Sequence, residues 1–204
     1  GNANRGRLRF VRQIKAAAGW VTGEESVMAE VVDLAGYRSR LLARKAFGAW
    51  SRRFGEVFGE TTRLKDLSDK SLYALALPGE QGNAAYYELI MGILELGAAS
   101  LFPYLEAGDK MRVVDIHLFL ADQVRFELMR RLGWLSAYPT QEFGLLEMVR
   151  EFGRVQAAVG GQSPQLADSH PEYGHYQRLH QREKETFVRR KLPDALATFQ
   201  KHLL

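Results

Sequence analysis

Residues Asp109–Trp134 read DKMRVVDIHLFLADQVRFELMRRLGW, and this stretch decides the fold. Val113, Leu120, Val124 and Leu128 form one apolar side at helical spacing, while Met111, Phe119, Phe126 and Met129 form a second. That period belongs to an α-helix, and a helix apolar on two sides is packed on two sides. Arg130 and Arg131 complement the negative end of the helix dipole, and Gly133 with Trp134 behind it supplies a left-handed stop. The pattern predicts a helix over 110–132.

Working outward, the same period recurs nearly everywhere, and no segment shows sustained strand-type alternation. The expected fold class is all-α: a compact multi-helical bundle of about eight to ten helices in one domain, residues 1–204, with any subdomain boundary near 160–170. Thr22-Gly23-Glu24-Glu25 is a capping box opening a helix that Gly36 stops, and a longer basic helix covers 38–57. Ser68 caps a short helix through Leu77; Pro78–Gly82 breaks the chain, and Asn83 caps the next helix, 84–98. Pro139-Thr140 opens a helix closed by Gly160-Gly161, and Ser169-His170-Pro171-Glu172 opens one reaching Lys191, before Pro193 starts the last.

The chain has 204 residues, 46% of them apolar, with a formal charge of +4. Residues 1–60 carry 11 Lys/Arg against 6 Asp/Glu, whereas 61–120 carry 5 against 8, so the middle is acidic and its flank basic. Absence of cysteine excludes disulfide frameworks, thiolate metal sites and cysteine nucleophiles. The longest uncharged apolar run, Leu96–Leu105, is far too short to span a bilayer, so a soluble and preferably cytoplasmic protein is expected. A first residue of Gly rather than Met suggests a trimmed chain, so an upstream signal or domain could be missing. No Gly-rich dinucleotide loop, Walker Lys-Ser/Thr or Gly-x-Ser-x-Gly elbow occurs, which disfavours those chemistries.

Two acid pairs stand out. Glu88 and Glu95 are seven apart in the apolar stretch AAYYELIMGILELGAASLFPYL (84–105), and Asp115 and Asp122 repeat that spacing on the following helix. A seven-residue step returns to nearly the same azimuth, so the four carboxylates could converge on a divalent metal or a catalytic water between helices 84–98 and 110–132. Against this, the residues three places on are Met91, Ala98, Leu118 and Arg125, so the Glu-x-x-His ligand pairs of di-iron bundles are missing. His117 falls on the apolar side of its helix and reads as a core residue, and the five-residue steps of His170, His175 and His180 separate rather than pair them.

Arg5, Arg7, Arg9, Arg12 and Lys15 alternate with Leu8, Val11 and Ile14, which suits an amphipathic first helix or an anionic surface, membrane or nucleic acid. Arg38, Arg44, Arg52 and Arg53 extend the basic region, with Phe47, Trp50 and Phe54 interleaved at core spacing. The function read from these features is a non-enzymatic binding or regulatory module acting through a protein partner or self-association. A carboxylate-based metal or small-ligand site is the alternative, and nucleic-acid or anionic-membrane binding through the basic region the second.

Overall fold

The computed structural model describes residues 34–203; the expected capping box at Thr22–Glu25 and the cations Arg5, Arg7, Arg9, Arg12 and Lys15 lie outside them. The fold is all-α. Nine α-helices are found among the described residues: α1 (Leu34–Phe54), α2 (Asp69–Ala76), α3 (Glu80–Ile93), α4 (Ala107–Arg131), α5 (Leu145–Arg150), α6 (Phe152–Val159), α7 (Tyr173–Gln177), α8 (Gln181–Arg190) and α9 (Leu192–Leu203). Leu64–Asp66 and Ala99–Tyr104 are 3₁₀ turns, and β1 (Leu135–Ala137) pairs antiparallel with β2 (Gln165–Leu166). No described helix is long and apolar enough to cross a membrane.

α1 lies along α3, and the approach is close because the facing residues are small. A Cβ added to Gly92 would stand 3.1 Å from the Ala46 Cα, tighter than most real Cβ contacts, so the helices would have to shift apart by a few tenths of an ångström. Along the same seam the Trp50 indole, wholly buried, donates to the Ala85 carbonyl at 2.7 Å. Phe47, Trp50, Phe54 and Phe58 then pack together, edge to face except for the tilted Phe47–Phe58 pair, with ring centroids 5.7–6.3 Å apart. These aromatics are core rather than a stacking platform for bases. α2 covers α3 and α4, and α9 packs on α2 and α4.

The expected cap at Ser68 forms, its hydroxyl accepting the Ser71 N–H at 3.2 Å. α4 also ends as its sequence dictates: Gly133 (φ +74°) turns left-handed, Gly133 N–H donates to Arg130 O and Trp134 N–H to Met129 O. α3 departs from expectation at both ends. It begins at Glu80, capped by Gly79, because Asn83 N–H already donates to Gly79 O; Asn83 is therefore inside the helix. It stops at Ile93, because the same terminal motif forms there with Glu95 (φ +58°) in the left-handed position and Leu96 N–H on Met91 O.

Other boundaries moved for similar reasons. Gly36 lies inside α1 rather than stopping a helix. The helix expected from Pro139 starts only at Leu145, because Leu145 N–H is drawn to Thr62 O and Gly144 bridges Arg63. A kink at Glu151 separates α5 from α6, and Phe152 then sits edge-on to Phe119 at 5.3 Å. The helix expected to reach Lys191 is interrupted before His180, whose N–H is taken by the Glu183 carboxylate as α8 begins. The 160–170 segment is stitched to β1 by β2, and the described residues form one compact unit.

Glu127 on α4 has no exposed side-chain surface. Arg130 grips it with two hydrogen bonds, 2.8 and 2.9 Å, and Arg131 adds a third at 3.0 Å. Burial pushes the carboxyl up, but the bonds and charges of the two arginines outweigh it and hold the group below the usual glutamate value. Arg131 also donates to the carbonyls of Leu64, Lys65 and Leu67 and pairs with Asp69 at 2.5 Å, so one guanidinium fastens the 3₁₀ turn and the start of α2 to α4.

Two outcomes follow from these termini and this network. Arg131→Met removes one of the three hydrogen bonds to the buried Glu127 and the side-chain donor to the Leu64, Lys65 and Leu67 carbonyls, and should lower unfolding free energy by about 1–3 kcal/mol in a denaturant titration. Glu95→Gly relieves a left-handed non-glycine residue, and the same titration should show a gain of about 1 kcal/mol; a loss would mean that the Glu95 side chain stabilises the turn.

Candidate functional site

The four acids singled out in the sequence are not gathered. Glu95 has left the helix and stands 3.9 Å from Arg38, both side chains largely exposed. Glu88 is held two-pronged by Arg53, at 2.7 and 3.3 Å. Asp115 is exposed and makes no ion pair among the described residues, and Asp122 lies half-buried between Arg189 at 2.8 Å and Arg125 at 3.5 Å. The shared-face argument fails physically because α3 ends two residues before Glu95. Among the described residues no three His, Asp or Glu side chains come together as a metal site.

The histidines are dispersed as their spacing required. His117 packs against Tyr86 and Tyr87, ring centroids 4.9 and 5.2 Å away, and burial with the nearby Arg125 charge pushes its imidazole below the usual value. His170 accepts the Glu172 N–H, His175 lies on Phe187 and His180 heads α8. Of the described cations, Arg38, Arg44 and Arg52 are exposed on α1, while Arg53 is committed to Glu88.

Asp115 and Asp122 do share a feature: both line a groove of about 620 Å³ between α4, α6 and α8. Leu118, Phe119, Phe152 and Val159 make its apolar wall. Opposite stand Glu185 and Arg189, four apart on α8 and paired at 2.6 Å. Beneath, the buried Thr140 hydroxyl donates to Gln123 Oε1 at 2.6 Å, and Gln123 Nε2 donates to Phe119 O, so both polar groups are satisfied internally.

Asp122 is the perturbed group here. Burial raises its carboxyl above the ordinary aspartate value, Arg189 and Arg125 pull it down, and Glu185 adds to the rise. The groove therefore offers an apolar wall, a negative edge and a desolvated carboxylate already supplied with cations. That is a set of binding elements; no nucleophile stands beside an activating base in it. Sequence reading found Asp122 and its Arg125 neighbour but missed Arg189, 67 positions away, and missed Glu127. The i,i+4 spacing of Glu185 and Arg189, and the i,i+3 and i,i+4 spacings of Glu127 with Arg130 and Arg131, carried a signal.

Comparison with protein-family models, curated proteins and solved structures finds no match to this chain.

Because folded Asp122 holds its proton more tightly than the unfolded chain does, its contribution to stability is present below the ordinary aspartate range and is lost as pH rises through the elevated value. Measured by denaturant unfolding, the stability of the wild type minus that of Asp122→Asn should fall across that window and be flat above it. A difference that grows with pH would show instead that the two arginines overcome burial.

Proposed function

We propose that this protein is a non-enzymatic binding module whose groove between α4, α6 and α8 takes an amphipathic, cationic helical segment of a protein partner. One observation carries the reading. Met111 and Leu118, seven apart on α4, are 68% and 58% exposed, where burial is the rule for such residues packed in a core. Asp115 lies between them and Asp122 one turn beyond, so a single stripe of α4 alternates apolar and acidic groups and runs into the groove beside Phe119 and Phe152.

An apolar strip flanked by acids is complementary to a helix presenting apolar residues at three- and four-residue steps with Lys or Arg between them. Asp115 makes no ion pair within the described residues and is available to such a cation. Asp122 and Glu185 share Arg189, and an incoming cation would compete for both. The chain's net charge of +4 repels a cationic peptide in general, so attraction must come from this locality.

A synthetic Leu/Lys peptide of about four helical turns and its Leu/Glu counterpart provide the test, by fluorescence anisotropy at low and at moderate salt. The Leu/Lys peptide should bind at least tenfold more tightly, about 1.4 kcal/mol. Leu118→Asp and Asp115→Lys, both at exposed positions, should each weaken it by a similar factor while circular dichroism stays unchanged. Absence of Leu/Lys binding, equal binding of both peptides, or indifference to both substitutions would overturn the proposal.

A further inference from the structure

A second cavity, remote in sequence from that groove, lies between the end of α1, α2 and the start of α3, with a volume of about 600 Å³. Its walls differ from those of a larger cleft, about 1160 Å³ beside β1 and β2, where Gln141, Gln165 and Gln177 are typical of a polar lining. Here Phe54, Leu75 and Ala85 form an apolar interior, and two cations, Arg53 and Lys70, line the same space. Size and character match small-molecule sites, which are mostly apolar with a few polar groups that set orientation.

The cations differ in what they have left to give. Arg53 uses Nε and Nη2 on Glu88, leaving Nη1 free of that carboxylate. Lys70 makes no ion pair or hydrogen bond within the described residues. Glu80 opposes them on the same lining, as the first residue of α3. The backbone adds a third donor group: α3 is capped by Gly79, which has no side chain to satisfy the free N–H groups of the first turn, and residues 79–82 line the cavity. Ser71, though buried in the wall, spends its hydroxyl on Glu56 and offers nothing to a ligand.

We infer that this cavity binds a small amphipathic carboxylate, its hydrocarbon part among Phe54, Leu75 and Ala85 and its carboxylate on Lys70 and Arg53 Nη1. The opening admits this orientation because Ala74 and Leu77, which also line the cavity, are exposed at its surface. The site is separate from the α4 groove, so its occupancy and the peptide binding proposed above stand or fall independently.

Calorimetric titration of the full chain with octanoate, octanol and octyltrimethylammonium, three probes of one chain length and different charge, decides the matter. Octanoate should bind one to one and at least tenfold more tightly than the cation, with octanol between. Lys70→Glu, at an exposed position, should cost octanoate about tenfold and leave octanol unchanged, whereas Ala74→Trp, which fills the space, should remove both. No octanoate binding, equal affinity for the three probes, or octanoate binding indifferent to Lys70→Glu and Ala74→Trp would overturn the assignment.

Discussion

A glutamate without exposed surface, held by two arginines, sets the geometry on which the other elements depend. Glu127 alone would be costly to bury, and its burial is tolerated because three short hydrogen bonds from Arg130 and Arg131 satisfy it on the same helix. What makes the arrangement more than local is the remainder of Arg131. Its other nitrogens reach the carbonyls of Leu64, Lys65 and Leu67 and the carboxylate that opens α2, so the 3₁₀ turn and the start of α2 are tied to α4. The turn in turn presents Thr62 and Arg63 to Gly144 and Leu145, which fixes where α5 begins. Three helices thus take their positions from one charge-assisted junction.

The α1–α3 seam rests on a different principle, the absence of atoms. Gly92 against Ala46 lets two helices approach within the reach of the Trp50 indole, and the aromatic cluster behind it fills the volume that small residues leave beside the axis. That seam and the Arg53–Glu88 pair also place the end of α1 over the start of α3, which is where the apolar cavity forms. The groove on the other side of α4 arises from the kink at Glu151 and the pairing of Asp122 with Arg189, so the two concavities have unrelated structural causes.

Much of the scaffold was legible residue by residue. The stop at Gly133 and Trp134 and the cap at Ser68 both formed because each depends on groups within a few residues. Glu95 shows where such reading ends: the terminal motif that Gly133 announces by its side-chain absence recurs at α3 with a glutamate in the left-handed place, which composition does not reveal. The boundaries near Leu145 and His180 shifted because backbone groups there found distant partners or capped anew, and the two short strands are too brief for alternation to register.

By itself the sequence determined the helical class, the Val113, Leu120, Val124 and Leu128 face of α4 and the helix ends at Ser68 and Gly133, since hydrophobic period and capping act over one or two turns; Met111, expected on a packed side, is exposed. The sequence also identified Asp115 and Asp122 as acids on one stripe of α4. Only the tertiary structure decided that Glu88, Glu95 and Asp122 each meet an arginine from another part of the chain, that Glu127 is the acid wholly withdrawn from water, and which helix faces remain open. Ion-pair partners such as Asp122 and Arg189 are brought together by packing of the intervening segments, and no spacing along the chain encodes a distance that only those segments' arrangement creates.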